Sequence, residues 1–192
     1  MEEIEKTQEE IAKKVVDFCL GKYKFIFISG NGGSGKTTLS KKISEEINSR
    51  GLESNCLDMD DFMIDSNIRK SLQKEWTDKN GNKRISYYGW TFKESYNLNS
   101  IESIIHSLKN EEDCFYKPKR QDDLIKLKSK SVVTIIEGVG TAFLEKESGV
   151  YGIFIMCDFN TEIDRRIKRS REGESNLPRV EVEEKAKEVK TE

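Results

Sequence analysis

The octet Gly30-Asn31-Gly32-Gly33-Ser34-Gly35-Lys36-Thr37 constrains this chain more than any other stretch, because of what stands on either side of it. Before it runs Lys24-Phe25-Ile26-Phe27-Ile28-Ser29, too short for a helix and rich in aromatic and β-branched residues, hence a buried strand. After it Leu39, Ile43 and Ile47 recur on one face of a helix that ends near Arg50, with Gly51 as its C-terminal cap. Strand, glycine loop and helix in that order are the setting in which GxxxxGK[ST] becomes a site. Glycines let successive backbone N–H groups turn inward around a phosphate, and the helix N-terminus adds partial positive charge. Lys36 can then reach β and γ phosphates, the Thr37 hydroxyl can ligate Mg²⁺, and Thr38 continues the binding segment.

The same octet satisfies GxGxxG through Gly30, Gly32 and Gly35, with acids near Asp58 about 20 positions on, so a dinucleotide-binding turn competes with the phosphate loop. Lys36-Thr37-Thr38 favours the phosphate loop, since a dinucleotide turn uses those positions to pack its helix on the sheet.

Further strands are expected at Asn55 to Met59, Val132 to Ile136 and Ile153 to Cys157, the last followed by a helix from about Thr161. Strands alternating with helices predict an α/β fold: a three-layer sandwich with a mostly parallel sheet covered on both faces. Ile4, Ile11, Val15 and Phe18 mark the buried stripe of a first helix that stops at Gly21. Asn99 with Glu102 reads as a capping box for a helix with the stripe Ile101, Ile104, Ile105 and Leu108. Residues 64–98 are polar, carry Asn80-Gly81 as a turn signal, and read as an acceptor-side insertion, with 165–178 as a lid. The charged tail from Arg171 to Glu192 is either a solvated helix or a frayed end.

A length of 192 residues fits one domain. With 33 basic and 35 acidic residues the formal charge is −2, so no global field recommends nucleic acid or an anionic membrane as partner. The acidic start and the lack of a long apolar run predict a cytoplasmic protein. Cys19, Cys56, Cys114 and Cys157 form no CxxC and are read as reduced thiols, mostly buried, without chemistry.

Acids fall where strands should end. Asp58-Met59-Asp60-Asp61-Phe62 closes the second strand, where a carboxylate can take a proton from an attacking hydroxyl or hold magnesium-bound water. Glu137 closes the strand at Val132 to Ile136 in a Walker B-like place, fit to order a metal's water shell. Arg165, Arg166, Lys168, Arg169 and Arg171 form a basic cluster able to close over a transferred phosphoryl group. Tyr87, Tyr88, Trp90, Phe92 and Tyr96 form either an acceptor pocket or, the favoured reading, a small core; His106 is read as a surface residue.

Together FIFISGNGGSGKTTLS, LDMDDF, VVTIIEGVG and DRRIKRSRE resemble the uridine kinase-like group of P-loop kinases, which includes uridine/cytidine kinases, nicotinamide riboside kinases and phosphoribulokinases. The resemblance implies ATP and Mg²⁺ at the loop and γ-phosphoryl transfer to a hydroxyl of a small metabolite, a nucleoside first among acceptors. It implies Asp60 as the base, Arg169 and then Arg166 as phosphate contacts, and Glu137 as the acid of the family's EG element. The catalytic expectation is therefore Lys36, Asp60 and Arg169, with Thr37, Asp60 and Glu137 serving the metal. The chain departs from the pattern at Phe115-Tyr116-Lys117-Pro118-Lys119-Arg120-Gln121, where uridine kinases carry Tyr-Asp-Phe and a following histidine. A nucleotide-binding regulatory ATPase with a protein partner is the alternative, a dinucleotide-dependent oxidoreductase a weaker one, and a homo-oligomer stays open.

Overall fold

The computed structural model describes residues 2–78, 80–89, 91–169 and 178–191. The helices are α1 (Glu2–Cys19), α2 (Lys36–Ser49), α3 (Ser66–Ser71), α4 (Leu98–Lys109), α5 (Phe159–Arg169) and α6 (Arg179–Thr191). The strands are β1 (Phe25–Gly30), β2 (Ser54–Asp58), β3 (Gln73–Thr77), β4 (Lys83–Tyr87), β5 (Cys114–Tyr116), β6 (Ile125–Leu127), β7 (Val133–Glu137) and β8 (Val150–Ile155).

Four strands form the central sheet in the order β2-β7-β1-β8, all parallel. A parallel sheet covered on both faces needs strands apolar throughout, which explains why β7 is buried at every position and β1 nearly so. One face packs Ile26, Ile28, Val133 and Ile135 against α1 and α2. The other packs Phe25, Phe27, Leu57 and Ile136 against Ile101, Ile104 and Leu108 of α4. The expected α/β three-layer sandwich is thus the observed one. Outside it lie two antiparallel hairpins, β3–β4 and β5–β6. Helix α6 buries Val182 and Ala186 against Ile163 of α5, forming a small satellite core in the charged tail.

Several local readings shift. Among the described side chains of α1 the buried ones are Ala12, Val16 and Cys19, while Ile11 and Phe18 are 41% and 46% exposed and the Ile4 side chain lies outside the described ones. The small residues face inward because α1 lies close along α2, and Phe18 instead gathers Tyr23 and Tyr151 at ring distances of 5.9 and 5.3 Å. The cap of α4 is Asn97, whose side chain accepts from the Ser100 N–H, and not Asn99; burial of Tyr96 and Leu98 fixes the helix start two residues earlier. The β8 strand begins at Val150 and ends at Ile155, earlier than the apolar run suggested.

Segment 64–98 holds α3 and the β3–β4 hairpin, whose turn is tied by Asp78 accepting from the Asn80 and Asn82 N–H groups at 2.9 Å each. Its end belongs to the core: Phe92 and Tyr96 are buried, Tyr87 is exposed, and Trp90 lies outside the described residues. All four cysteines are free thiols, but only Cys19 is buried. His106 is exposed, as expected, beside Asn110 at 2.9 Å. No described helix is long and apolar enough to cross a membrane.

The rotated stripe of α1 predicts that Val16→Ala costs about 2 kcal/mol while Ile11→Ala, which removes more atoms, costs under about 1 kcal/mol. Urea unfolding of both variants measures the order; the reverse order would put the stripe back where the large residues are.

Candidate active site

Strand β1 delivers its C-terminal end to the middle of the sheet, and there the chain must turn sharply. Gly30 has φ +147°, and a Cβ on it would stand 2.2 Å from the Ile155 carbonyl oxygen of β8. Gly33 follows at φ +75°, with the Glu162 carbonyl 3.1 Å from the place of a Cβ. Gly35, at φ +100°, is the N-cap of α2 and makes no side-chain cap, so the first N–H groups of the helix face the mouth of the loop. Lys36 folds back over the loop and donates to the carbonyls of Gly30 and Asn31, both at 2.8 Å.

The Ser34 N–H donates to the Asn31 carbonyl at 3.2 Å, while its Oγ is buried and meets no hydrogen-bond partner among the described residues. A buried hydroxyl without a partner, in a glycine loop where Gly30 leaves no room for a Cβ, suits a phosphate oxygen. Thr38 is exposed on the first turn of α2, and Asn31 is exposed at the loop's start.

Facing the loop are the strand-end acids. Asp58 ends β2 and Glu137 ends β7, and the two are paired across the parallel register. The Asp58 carboxylate accepts from the Asp60 N–H at 2.9 Å, which starts the single 3-10 turn Met59–Phe62 and fixes Asp60 in place. Gly138 holds that turn down: at φ +137°, its absent Cβ would lie 2.6 Å from Cβ of the buried Met59. Asp58, Asp60 and Glu137 consequently line one cleft with Lys36 and Thr37. Asp61 faces away, accepting from the Lys119 N–H at 3.1 Å, and burial raises its carboxyl above the usual range.

Burial pushes the Glu137 carboxyl up to about 7, and the Asp58 charge adds to it; the Thr37 hydroxyl, donating to Glu137, and the Lys36 ammonium pull the other way. The Thr37 hydroxyl and these carboxylates are hard oxygen donors, the set magnesium takes alongside phosphate oxygens and water. The loop therefore suits a phosphate, and Thr37 with these carboxylates offers oxygen donors to a metal that arrives with it, although among the described residues no three acids, histidines or cysteines gather closely enough to hold a metal by themselves.

The basic cluster divides. Arg166 is buried and its guanidinium pairs with Glu162, Nη2 at 2.9 Å and Nε at 3.1 Å. Its neighbour Arg165, which the sequence placed only among the cluster, reaches the loop and donates through Nη1 to the Gly33 carbonyl at 3.0 Å. Arg169 is the last residue of α5; its side chain, like residues 170–177 of the expected lid, lies outside the described residues. Asp58 was legible as one of three acids, but its role as the tether of Asp60 needed the turn geometry.

A carboxyl whose folded value is raised contributes stability fully present below its unfolded value and lost as pH climbs through the folded one. For Glu137 that window runs from about 4.5 to about 7. In the nucleotide-free protein Glu137→Gln therefore gains stability relative to wild type as pH rises from 5 to 8, by at most roughly 3 kcal/mol. Thermal midpoints across that range test it; a pH-independent difference would mean that Glu137 is solvated.

The family model described as Phosphoribulokinase / Uridine kinase family matches residues 25–175. Among solved structures the chain is similar to a candidate fructose transport system kinase from Silicibacter sp. TM1040, at 17% identity and TM-score 0.60, covering 96% of this chain and 91% of that one. It is similar also to a possible uridine kinase from Bacillus stearothermophilus, at 19% identity and TM-score 0.56, covering 96% of each chain. At such identities the likeness to these structures is one of fold. No curated protein matches the chain by sequence. The matched span contains the phosphate loop, both strand-end acids and α5, and the chain accordingly belongs to the phosphoribulokinase/uridine kinase family of small-molecule kinases.

Proposed function

We propose that the chain transfers the γ-phosphoryl group of ATP to a hydroxyl of a small metabolite, with a nucleoside as the acceptor class. The observation that carries this reading is the meeting of Lys36, Thr37, Asp58, Asp60 and Glu137 in one cleft at the carboxyl edge of the sheet. Phosphoryl transfer asks a protein mainly for positioning and for charge opposite the phosphate oxygens, and these residues supply both.

The inward N–H groups of the loop and the N-terminus of α2 hold the phosphates, with the Ser34 hydroxyl as a further donor. Lys36 exchanges the Gly30 and Asn31 carbonyls for phosphate oxygens, so its charge is parked at the site before the ligand arrives. Thr37, with Glu137 and Asp60 nearby, would hold a magnesium ion, which would supply positive charge opposite the phosphate oxygens. Asp60 accepts the proton of the attacking hydroxyl; Asp58 is the weaker candidate because its carboxylate is engaged in holding the Asp60 N–H. Arg169, at the end of α5, is the cation proposed to close over the transferring group.

Support for a flat acceptor comes from the Phe62–Tyr116 pair, stacked at 5.8 Å beside the Asp60–Asp61 turn. A panel of nucleosides, pyridine ribosides, vitamins and sugars, read as both ADP release and phosphorylated product, tests the acceptor class. Product from a sugar or vitamin alone would remove the nucleoside while keeping the kinase.

Lys36→Ala is expected to abolish turnover with the fold intact, and normal turnover in a folded variant would sink the reading. Asp60→Asn is expected to cut turnover by about 10²-fold or more while nucleotide still binds. Unimpaired transfer by that variant would move the base to Asp58.

A further inference from the structure

Two independent features join α5 to the phosphate loop. One is backbone contact: Gly33 lies under Glu162, whose carbonyl oxygen, Cα and Cγ stand 3.1, 3.5 and 3.5 Å from where a Cβ would be. The other is a hydrogen-bond fork. Arg165 Nη1 donates to the Gly33 carbonyl at 3.0 Å and, at 3.4 Å, to that of Ser34. The same nitrogen lies 3.8 Å from the place of a Cβ on Gly35. The guanidinium thus spans the outer side of residues 33 to 35, the stretch leading into α2.

We propose that Arg165 is a positioning residue for nucleotide binding: by holding the Gly33 and Ser34 carbonyls outward it keeps the loop curled with its N–H groups toward the phosphates. The physical reason is the planar trans peptide, in which the carbonyl of one residue and the N–H of the next point in opposite directions. Drawing the Ser34 carbonyl toward α5 turns the Gly35 N–H into the cradle. Glycines at 33 and 35 make those peptides cheap to reorient, so without an outside tether the loop samples many orientations and the nucleotide must supply the ordering free energy. Arginine suits this role because its rigid fork loses less entropy per hydrogen bond than a lysine stem.

This inference rests on the nucleotide reading of the loop, and its test uses binding alone, with no acceptor. Affinity for Mg·ADP, followed with a fluorescent ADP analogue, is measured for wild type, Arg165→Met, Arg165→Lys and Lys36→Ala, together with thermal midpoints with and without nucleotide. Arg165→Met is expected to weaken binding about tenfold and to shrink the nucleotide-induced rise in midpoint, with Arg165→Lys intermediate. Unchanged affinity in a folded Arg165→Met protein overturns the inference and leaves the kinase reading standing. A fall in midpoint equal with and without nucleotide, at unchanged affinity, makes the contact merely structural and also overturns it. Wild type that binds no nucleotide defeats the proposed function and this inference with it.

Discussion

The register of the parallel sheet is the constraint on which everything else depends. β7 lies between β2 and β1, and its last residue, Glu137, is level both with Asp58 of β2 and with Ile28 of β1. A slip of one residue would turn every apolar side chain of a strand to the opposite face, and with both faces covered no such slip is tolerated. The sheet therefore fixes the level at which three connections leave it. The glycine loop, the Asp-rich turn and the Glu-Gly corner emerge side by side because core packing allows them nowhere else. Chemistry is carried by loops, but the position of those loops is a property of the buried strands.

That arrangement has an electrostatic cost which the site turns to use. Two carboxylates at adjacent strand ends repel, and Glu137 is buried as well, so both effects work against its charged form. A cation between the loop and the strand ends relieves both effects at once. The Thr37 hydroxyl and Lys36 ammonium already lean on the same carboxyl, which keeps it oriented without neutralising it fully. The cleft thereby presents carboxylates suited to a cation and backbone N–H groups suited to an anion at one place.

Much of this was legible in the sequence, for identifiable reasons. The octet between a buried strand and a helix, and acids placed just after apolar runs, are local patterns, and the structure brings Lys36, Thr37, Asp60 and Glu137 to one cleft as those patterns implied. What was not legible depended on choices between neighbouring residues that only packing makes. Periodicity weights large side chains, so it put Ile11 and Phe18 on the buried face of α1, whereas close approach to α2 selected Ala12, Val16 and Cys19. Arg165 and Arg166 look equivalent in the sequence; one step of helix geometry sends the first to the loop and the second into a pair with Glu162. The β5–β6 hairpin carries strands of three residues each, too short for any alternation to register.

The site is held together mainly by backbone approaching backbone. Gly30 passes under the Ile155 carbonyl and Gly138 under Met59 at distances that exclude a Cβ, and Gly33 lies under Glu162 with a Cβ position only 3.1 Å from its carbonyl oxygen. Such contacts draw little on side-chain identity around them, so the phosphate side can keep its shape while the surrounding residues change. The ground beyond the Asp-rich turn is built differently, from side chains, with Phe62 stacked on Tyr116 and Tyr96 packed on Phe143. A scaffold of this kind keeps donor and acceptor recognition separate. Under the proposed function, the transferable group is gripped by backbone geometry and the acceptor is chosen by side chains that can diverge. This accounts for the chain keeping the glycine loop, the DDF turn and the EG corner together while departing from the uridine kinase pattern at Phe115 to Gln121.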